Sequence, residues 1–388
     1  MSAKFWPLMP NIITLKDKFR LIKFILSTNF FTSGKMVAEF ERLWSKWVGA
    51  KHSLFVSSGS TANFLLLSAV IEKYGLEKGD KVLVPACTWM TNVAPVFQLG
   101  LTPIFCDINF KNFSFDENEM LKIKKKHPDI KIIFVTHLLG FPAARERYQE
   151  IFPDAIILDD VCESHGCKTE NFDRVGANTT GATFSFYFGH HMTTIEGGMI
   201  STNDSELYDL MKMKRSHGMA RNSDNFKMYV EKYPHIEKSF LFVTDGYNFR
   251  NTELAAVLGI SQLEGLDRSI EIRKNNFRRF VDIVNRHGDK FHTLTYTNRN
   301  SNFSLPMLAR TKEVYDKLKV ELEKAGIEYR PIVGGNLLRQ PFLKGYKFAI
   351  KKKEYNADIL NDLGVYVGNN QMITNKHLDA LENILKGL

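Results

Sequence analysis

Short apolar runs that recur between helical stretches constrain this chain more than any other feature. They fall at residues 53–56, 81–84, 103–107, 130–136, 155–158, 183–188 and 198–201. Stretches of helical character lie between several of them, at 61–73 and 94–99 among others. Strands that alternate with helices predict a mostly parallel sheet covered on both faces. Sheets of that kind bind ligands at the carboxyl ends of their strands. The residues just after each apolar run are therefore the first candidates for chemistry.

The flanks fill in an α/β architecture. Residues 15–30 read as a basic helix and 31–34 as a turn. Val37, Phe40, Leu43, Trp44, Trp47 and Val48 form the apolar face of a second helix. After residue 204 the chain turns helical, and a long helix over about 251–279 leads out of the sheet region. The remainder mixes short strands and helices. At 388 residues the chain is too long for one small core. The expectation is an N-terminal segment and large domain over 1–279, then a smaller α/β domain over 280–388.

Charge narrows the partners. The net charge of +9 favours anionic ligands, either nucleic acid or phosphorylated small molecules. The basic residues are scattered, and the lysine runs at 124–126 and 351–353 are short. With no nucleic-acid signature in the spacing, a small phosphorylated ligand is expected and nucleic acid is not. Cys87, Cys106, Cys162 and Cys167 lack paired metal-ligand spacing and read as free thiols, with no metal site. Neither a signal-peptide pattern nor a membrane-length apolar run is present, so a cytoplasmic protein with no membrane partner is expected.

Three constellations sit at strand ends. Ser57-Ser58-Gly59-Ser60-Thr61-Ala62-Asn63 joins a strand to a helix. Glycine admits a close ligand, and helix N-terminal N–H groups favour phosphate, although an ordinary helix cap has the same sequence. Asp159 and Asp160 close an apolar strand ahead of Cys162 and Glu163. A carboxylate there can hold a cationic ring nitrogen, or simply cap a helix. Trp89 follows the strand at 81–84, where an indole can stack on a flat cofactor or fill a core. A fourth stretch, 183–198, carries an aromatic strand into Gly189, His190 and His191 and then a glycine pair.

A phosphate cradle, a ring-nitrogen carboxylate and a stacking aromatic together suggest pyridoxal phosphate. In order along the chain, these motifs resemble the sugar aminotransferases of the DegT/DnrJ/StrS family, within the fold-type I (aspartate aminotransferase-like) group. The resemblance runs from about residue 31 to the C-terminus. It rests on Gly34 with Phe40 and Glu41, on Ser58-Gly59-Ser60, on Asp160 and on 185–198. Gly246-Tyr247-Asn248-Phe249-Arg250 with Glu253-Leu254 completes it.

That resemblance implies roles residue by residue. Gly59, Ser60 and Ser185 fall where the family binds the cofactor phosphate. Asp160 falls where it pairs with the pyridine nitrogen, and Trp89 where it packs on the ring. Glu163 stands at a cofactor contact where the aminotransferases usually carry Gln. Asn248 matches a residue that reaches the neighbouring subunit's cofactor, which implies a homodimer. His217 and Arg221 match positions near the sugar or glutamate.

One departure changes the implied reaction. The family places its Schiff-base lysine five residues after the serine, and here that position is His190, with His191 at the following Asn position. An imidazole moves protons but does not hold the cofactor covalently as a lysine does. The chain thus resembles the rarer branch of the family that deoxygenates sugars, to which Tyr329-Arg330-Pro331-Ile332-Val333-Gly334-Gly335-Asn336 is also similar. The implied activity is C3 dehydration of a nucleotide-linked 4-keto-6-deoxy sugar, with GDP-4-keto-6-deoxy-D-mannose the expected substrate. Pyridoxamine phosphate would be the working cofactor and L-glutamate would regenerate it, in 3,6-dideoxysugar and O-antigen synthesis. His190 is the expected catalytic base, separated from His191 by spacing alone. The residues leave the nucleotide base open. The alternatives are an iron–sulfur-dependent CDP-4-keto-6-deoxyglucose 3-dehydrase, whose cysteine pattern is not matched here, and an ordinary nucleotide-sugar aminotransferase.

Overall fold

A computed structural model describes residues 4–344 and 355–388, so the lysine run at 351–353 lies outside the described residues. Helices α1 (Leu15–Ser27) and α2 (Lys35–Val48) precede β1 (His52–Val56) and α3 (Gly59–Tyr74). Next come β2 (Lys81–Pro85), α4 (Ala94–Gln98), β3 (Thr102–Cys106), α5 (Glu117–Lys126), β4 (Ile130–Thr136) and α6 (Arg145–Ile151). Then follow β5 (Ile156–Asp160), β6 (Gly181–Ser185), β7 (Gly198–Thr202), α7 (Ser205–Arg215), α8 (Phe226–Lys232) and the long α9 (Glu253–Asn285). The C-terminal part holds β8 (Ser304–Leu308), α10 (Lys312–Lys324), β9 (Tyr329–Pro331), α11 (Asn356–Leu363), β10 (Gly364–Gly368) and α12 (Asn375–Gly387).

Seven strands form the main sheet in the order β1-β7-β6-β5-β4-β2-β3. β3, β2, β4, β5 and β6 run parallel, while β7 is antiparallel to both β6 and β1. This is the mostly parallel α/β sheet that the alternation predicts. Strand register lines up the carboxyl ends: Thr136 lies opposite Asp160, and Asp160 opposite Thr183. The strands are buried on both faces, as helix cover on each side requires. On one side α3 presents Leu65, Leu66, Ala69 and Val70 to the sheet. On the other, α2 presents Phe40, Trp44 and Val48. These three recur at helical spacing, and Gly49 in the left-handed region (φ 90°) stops the helix.

Several element ends depart from the periodicity. β5 runs on through Asp159 and Asp160, because both carboxylates find buried partners. The strand expected over 183–188 ends at Ser185, where the backbone leaves the sheet to build the loop that carries His190. α1 stops at Ser27, with Thr28 extended. α9 continues past 279 to Asn285 because Phe280, Val281, Ile283 and Val284 are buried. The boundary expected at 279/280 therefore falls inside a continuous helix.

The second sheet, β8-β10-β9, is wholly antiparallel. Its core joins the end of α9 to α10, α11 and α12, and Trp6 from the N-terminal segment sits in that same core. The Trp6 indole N–H donates to the Gly368 carbonyl at 2.9 Å, and Trp6 bridges to Ile327. The first residues thus cross over to the C-terminal sheet, which carries Leu8 and Met9 to the rim of the cavity described next. Among the described residues no helix is long and apolar enough to cross a membrane.

Candidate active site

At the carboxyl edge of the main sheet lies a cavity of about 330 Å³. Its floor is the end of β5. Side chains alternate along a strand, so Asp159 and Asp160 face opposite sides of the sheet, and Asp160 lines the cavity. Its Oδ2 accepts from the Nδ2 groups of Asn63 (2.8 Å) and Asn92 (2.9 Å), and its Oδ1 from the Cys162 backbone N–H at 2.9 Å.

One wall is the N-terminus of α3. Ser58 caps the helix: its Oγ accepts the Thr61 N–H at 3.1 Å, and the Thr61 Oγ1 accepts the Ser58 N–H at 3.0 Å. Gly59 and Ser60 belong to the first turn, whose N–H groups have no intrahelical partner, and both line the cavity. Gly59 has no room for a side chain, since a Cβ there would lie 2.7 Å from the Ser185 Cβ and 3.0 Å from the Cys162 Sγ. The backbone therefore approaches Ser185 as closely as it can. Trp89 stands at the rim, more than half exposed.

The opposite wall is the loop between β6 and β7. Two backbone bonds pin it, from the Phe186 N–H to the Gly197 carbonyl (2.8 Å) and from the Thr194 N–H to the Phe186 carbonyl (3.0 Å). His190 hangs from this loop into the cavity, with Tyr187 and Phe303 edge-on to its ring. Its Nδ1 lies 3.2 Å from the Ser185 carbonyl oxygen. A carbonyl only accepts, so Nδ1 carries the proton and Nε2 is the basic atom. Burial pushes the imidazole down to about 4, against the pull of the Ser185 carbonyl and the Asp160 charge. His190 is thus neutral near pH 7 and ready to accept a proton.

His191 is placed quite differently. It is buried outside the cavity lining, its Nε2 2.9 Å from the Ser301 carbonyl and its Nδ1 3.3 Å from the Nδ1 of His165. Spacing alone does not separate the two histidines, but geometry does. Glu163 also lines the cavity, and its Oε2 accepts the Leu139 N–H at 2.9 Å. Burial raises its carboxyl to about 7, helped by the nearby charge of Asp160.

Gly59, Ser60, Trp89, Asp160, Glu163, Ser185 and His190 thus meet around one cavity. Asn248, His217 and Arg221 do not join them. All three are exposed on the segment between α7 and α9. There Asn248 accepts from the Arg250 Nε at 3.0 Å, Arg221 donates to the Ser239 carbonyl at 3.4 Å, and the His217 N–H donates to the Tyr247 carbonyl at 2.8 Å. Conversely, Met9, Asn92, Phe303, Arg330 and Tyr366 line the cavity without having been singled out as site residues. Arg330 lies in the 329–336 segment noted above. The others come from distant parts of the chain and carry no local signal.

The residues fit pyridoxal phosphate. First-turn N–H groups and serine hydroxyls suit the phosphate, a carboxylate suits a protonated ring nitrogen, and an exposed indole suits stacking. Among the described residues the cavity lining holds no lysine, and no cluster of His, Cys, Asp or Glu is arranged to hold a metal. All four cysteines are unbridged.

The model of the DegT/DnrJ/EryC1/StrS aminotransferase family matches residues 14–382. GDP-4-keto-6-deoxy-D-mannose 3-dehydratase of Escherichia coli O55:H7 is 35% identical over 381 residues, 95% of this chain and 96% of that protein. A crystal structure of GDP-4-keto-6-deoxymannose-3-dehydratase, a His-to-Asn mutant with bound GDP-perosamine, superposes with a TM-score of 0.89 at 32% identity, covering 98% of this chain and all of that one. A second structure of that enzyme, holding a trapped PLP-glutamate geminal diamine, matches with the same TM-score, identity and coverage. With sequence similarity spanning nearly the whole chain and the cofactor-type cavity formed by the expected motifs, the chain belongs to the DegT/DnrJ/EryC1/StrS aminotransferase family.

Proposed function

We propose that this protein is a pyridoxal phosphate-dependent sugar 3-dehydratase. It removes the C3 hydroxyl of a nucleotide-linked 4-keto-6-deoxy sugar, GDP-4-keto-6-deoxy-D-mannose, with L-glutamate as the amine source. The carrying observation is that His190, and no lysine, reaches the cavity beside Ser185 and Asp160. When bound as pyridoxamine phosphate, the cofactor supplies an amine for the C4 ketone and a conjugated ring that accepts electrons as the C3–O bond breaks.

The chain's own residues then have distinct tasks. Gly59, Ser60 and Ser185 hold the phosphate at the α3 N-terminus. Asp160 accepts from the ring N–H, Glu163 contacts the cofactor, and Trp89 packs on the ring. His190, neutral at rest and fixed with Nε2 free, takes a proton at Nε2 and returns it to the departing C3 hydroxyl, which leaves as water. Because His190 forms no covalent link to the cofactor, water, not a side-chain amine, would free the sugar as an enamine and leave the cofactor as pyridoxal phosphate for glutamate to re-aminate. A second water would convert the enamine to ammonia and the 3-deoxy-4-keto sugar. A lysine would instead favour amino transfer. Unbridged cysteines fit a reducing, cytoplasmic compartment.

The test is incubation with GDP-4-keto-6-deoxymannose, pyridoxal phosphate and glutamate. Ammonia release with loss of the C3 oxygen, read by mass spectrometry, is expected. A stable 4-amino sugar that retains the C3 hydroxyl would overturn the reading.

We also infer a homodimer with shared sites, since exposed Asn248, His217 and Arg221 lie away from their own cavity. Chains carrying His190→Asn and chains carrying Asn248→Ala should each be inactive alone. Mixed and allowed to exchange, they should regain activity, because one site of each heterodimer is then intact. Absence of recovery in a verified heterodimer would sink the shared-site model.

A further inference from the structure

The charge on Asp160 is held without a counter-charge. Its side chain is only 4% exposed, and among the described residues it forms no ion pair with lysine or arginine. The ionisable groups that feel its charge are Cys162, Glu163 and His190. Burial moves each of them towards its neutral form: the thiol up, the carboxyl up to about 7, the imidazole down to about 4. What satisfies Asp160 instead is a set of neutral donors: a pair of amides, one backbone N–H and the Cys162 thiol.

Both amides are locked in orientation. A side-chain amide can flip and present its oxygen, which would repel a carboxylate. Here the Thr183 Oγ1 donates to the Asn63 Oδ1 at 2.5 Å, and the Thr88 Oγ1 donates to the Asn92 Oδ1 at 2.8 Å. The Thr136 Oγ1 lies 2.8 Å from that of Thr88. Because Thr88 spends its only proton on Asn92, Thr136 donates to Thr88. Each asparagine is therefore obliged to turn its NH2 towards Asp160. Asn63, Asn92, Thr88 and Thr183 are all fully buried, and they come from three different places: α3, the turns after β2, and β6.

We propose that Asn63 and Asn92 are positioning residues, which fix the Asp160 carboxylate at the cavity wall with neutral donors and reserve its charge for the cofactor's protonated ring nitrogen. The proposal rests on the cofactor assignment made above. A carboxylate offers about four acceptor sites. The protein meets them with neutral donors only, two amides, one backbone N–H and the Cys162 thiol, and leaves the net charge for the ligand. A lysine or arginine in place of either asparagine would neutralise that charge and compete with the ring nitrogen.

Binding tests this without turnover. Cofactor-free protein is titrated with pyridoxamine phosphate and with the analogue in which C–H replaces the ring nitrogen, following absorbance and tryptophan fluorescence. Wild-type protein should prefer the natural cofactor. Asn63→Ala and Asn92→Ala should each lower that preference about tenfold, the scale of one hydrogen bond to a charged group, while affinity for the analogue changes less than about twofold. An equal loss for both ligands would show a merely structural role and overturn the proposal, as would wild-type protein that binds both alike. If the alanine variants do not fold, the shape-conserving Thr88→Val carries the test: a smaller but still selective loss is expected, and an unselective loss or none overturns it. Wild-type protein that binds neither ligand defeats the cofactor reading itself, and this proposal with it.

Discussion

On the cavity side of β5, Asp160 meets two amides and a backbone N–H. On the other side, one residue earlier, Asp159 meets one cation, an imidazole N–H and a hydroxyl. Its Oδ1 is 3.1 Å from the His137 Nε2, and its Oδ2 accepts from the Arg145 Nε at 3.0 Å and the Thr179 Oγ1 at 2.6 Å. The Ala143 N–H donates to the Nδ1 of His137 at 3.1 Å, which leaves the imidazole proton on Nε2 and pointed at Asp159. Burial alone would raise the Asp159 carboxyl, but the Arg145 charge and the His137 and Thr179 bonds outweigh it and hold the carboxyl below its ordinary value. Both carboxylates are buried and adjacent, yet among the described residues one meets a counter-charge and the other does not, and the proposed ring-nitrogen contact would supply it. The identity of the donors, more than burial, distinguishes a structural carboxylate from a functional one.

The largest effect should come from exchanging Asp160. Asp160→Asn keeps the shape and removes the charge. The catalytic efficiency of dehydration should fall about a thousandfold, the upper scale for losing one electrostatic contact in a preorganised site. Folding stability should fall by about 1 kcal/mol, the cost of turning one amide NH2 onto donors already locked in place. That is less than for Asp159, because no cation is left unpaired. Steady-state kinetics and thermal melting of the cofactor-free protein check the two halves. A melting temperature that drops in step with activity would erase the distinction from Asp159.

The converse substitution should behave in the opposite way. Asp159→Asn leaves the partly buried Arg145 without its counter-charge, and breaking a buried pair costs about 3 kcal/mol. Denaturant unfolding should report that loss, while activity per folded molecule stays within about twofold. Dehydration that collapses in properly folded Asp159→Asn protein would mean that both carboxylates belong to the site.

How much of this the sequence discloses follows from locality. The strand pattern shows two carboxylates at a strand end, and alternation places them on opposite faces. Which face holds the ligand depends on what covers each, and the family resemblance, not the pattern, selects Asp160. The cradle of Gly59, Ser60 and Ser185 is legible because its motifs are short. The amide clamp is not, since Asn63 and Asn92 lie 97 and 68 residues from Asp160 and converge only in the folded sheet. Phe303, Tyr366 and Met9 are invisible for the same reason. The end of β6 is misjudged because Phe186 is apolar and buried like a strand residue, although its backbone has already turned into the loop.

A third carboxyl sharpens the comparison and should give the smallest effect. Among the described residues Glu163 has neither a cation nor a side-chain amide as a hydrogen-bond partner, only the Leu139 N–H at 2.9 Å. Burial accordingly lifts it from its ordinary value of 4.5 to about 7. A carboxyl raised in the folded state binds a proton that the unfolded chain has already lost. Its stabilising contribution is therefore full below pH 4.5 and is lost as the pH rises through 7. Glu163→Gln removes that titration while conserving shape. Melting temperatures of cofactor-free variant and wild type should nearly coincide at pH 4.5. They should separate by about 1–2 °C in favour of the variant at pH 8, a shift expected for roughly 1 kcal/mol in a chain of this size. This is less than the roughly 3 kcal/mol of the full rise, because the half-buried carboxyl faces the open cavity and is partly relieved by water. The buried histidines 165, 190 and 191, all held below their ordinary value, destabilise both proteins alike below about pH 6.5 and cancel in the difference. A separation that grows towards acid would mean that Glu163 is held as a carboxylate, like Asp159, and that one backbone N–H is enough to keep a buried charge.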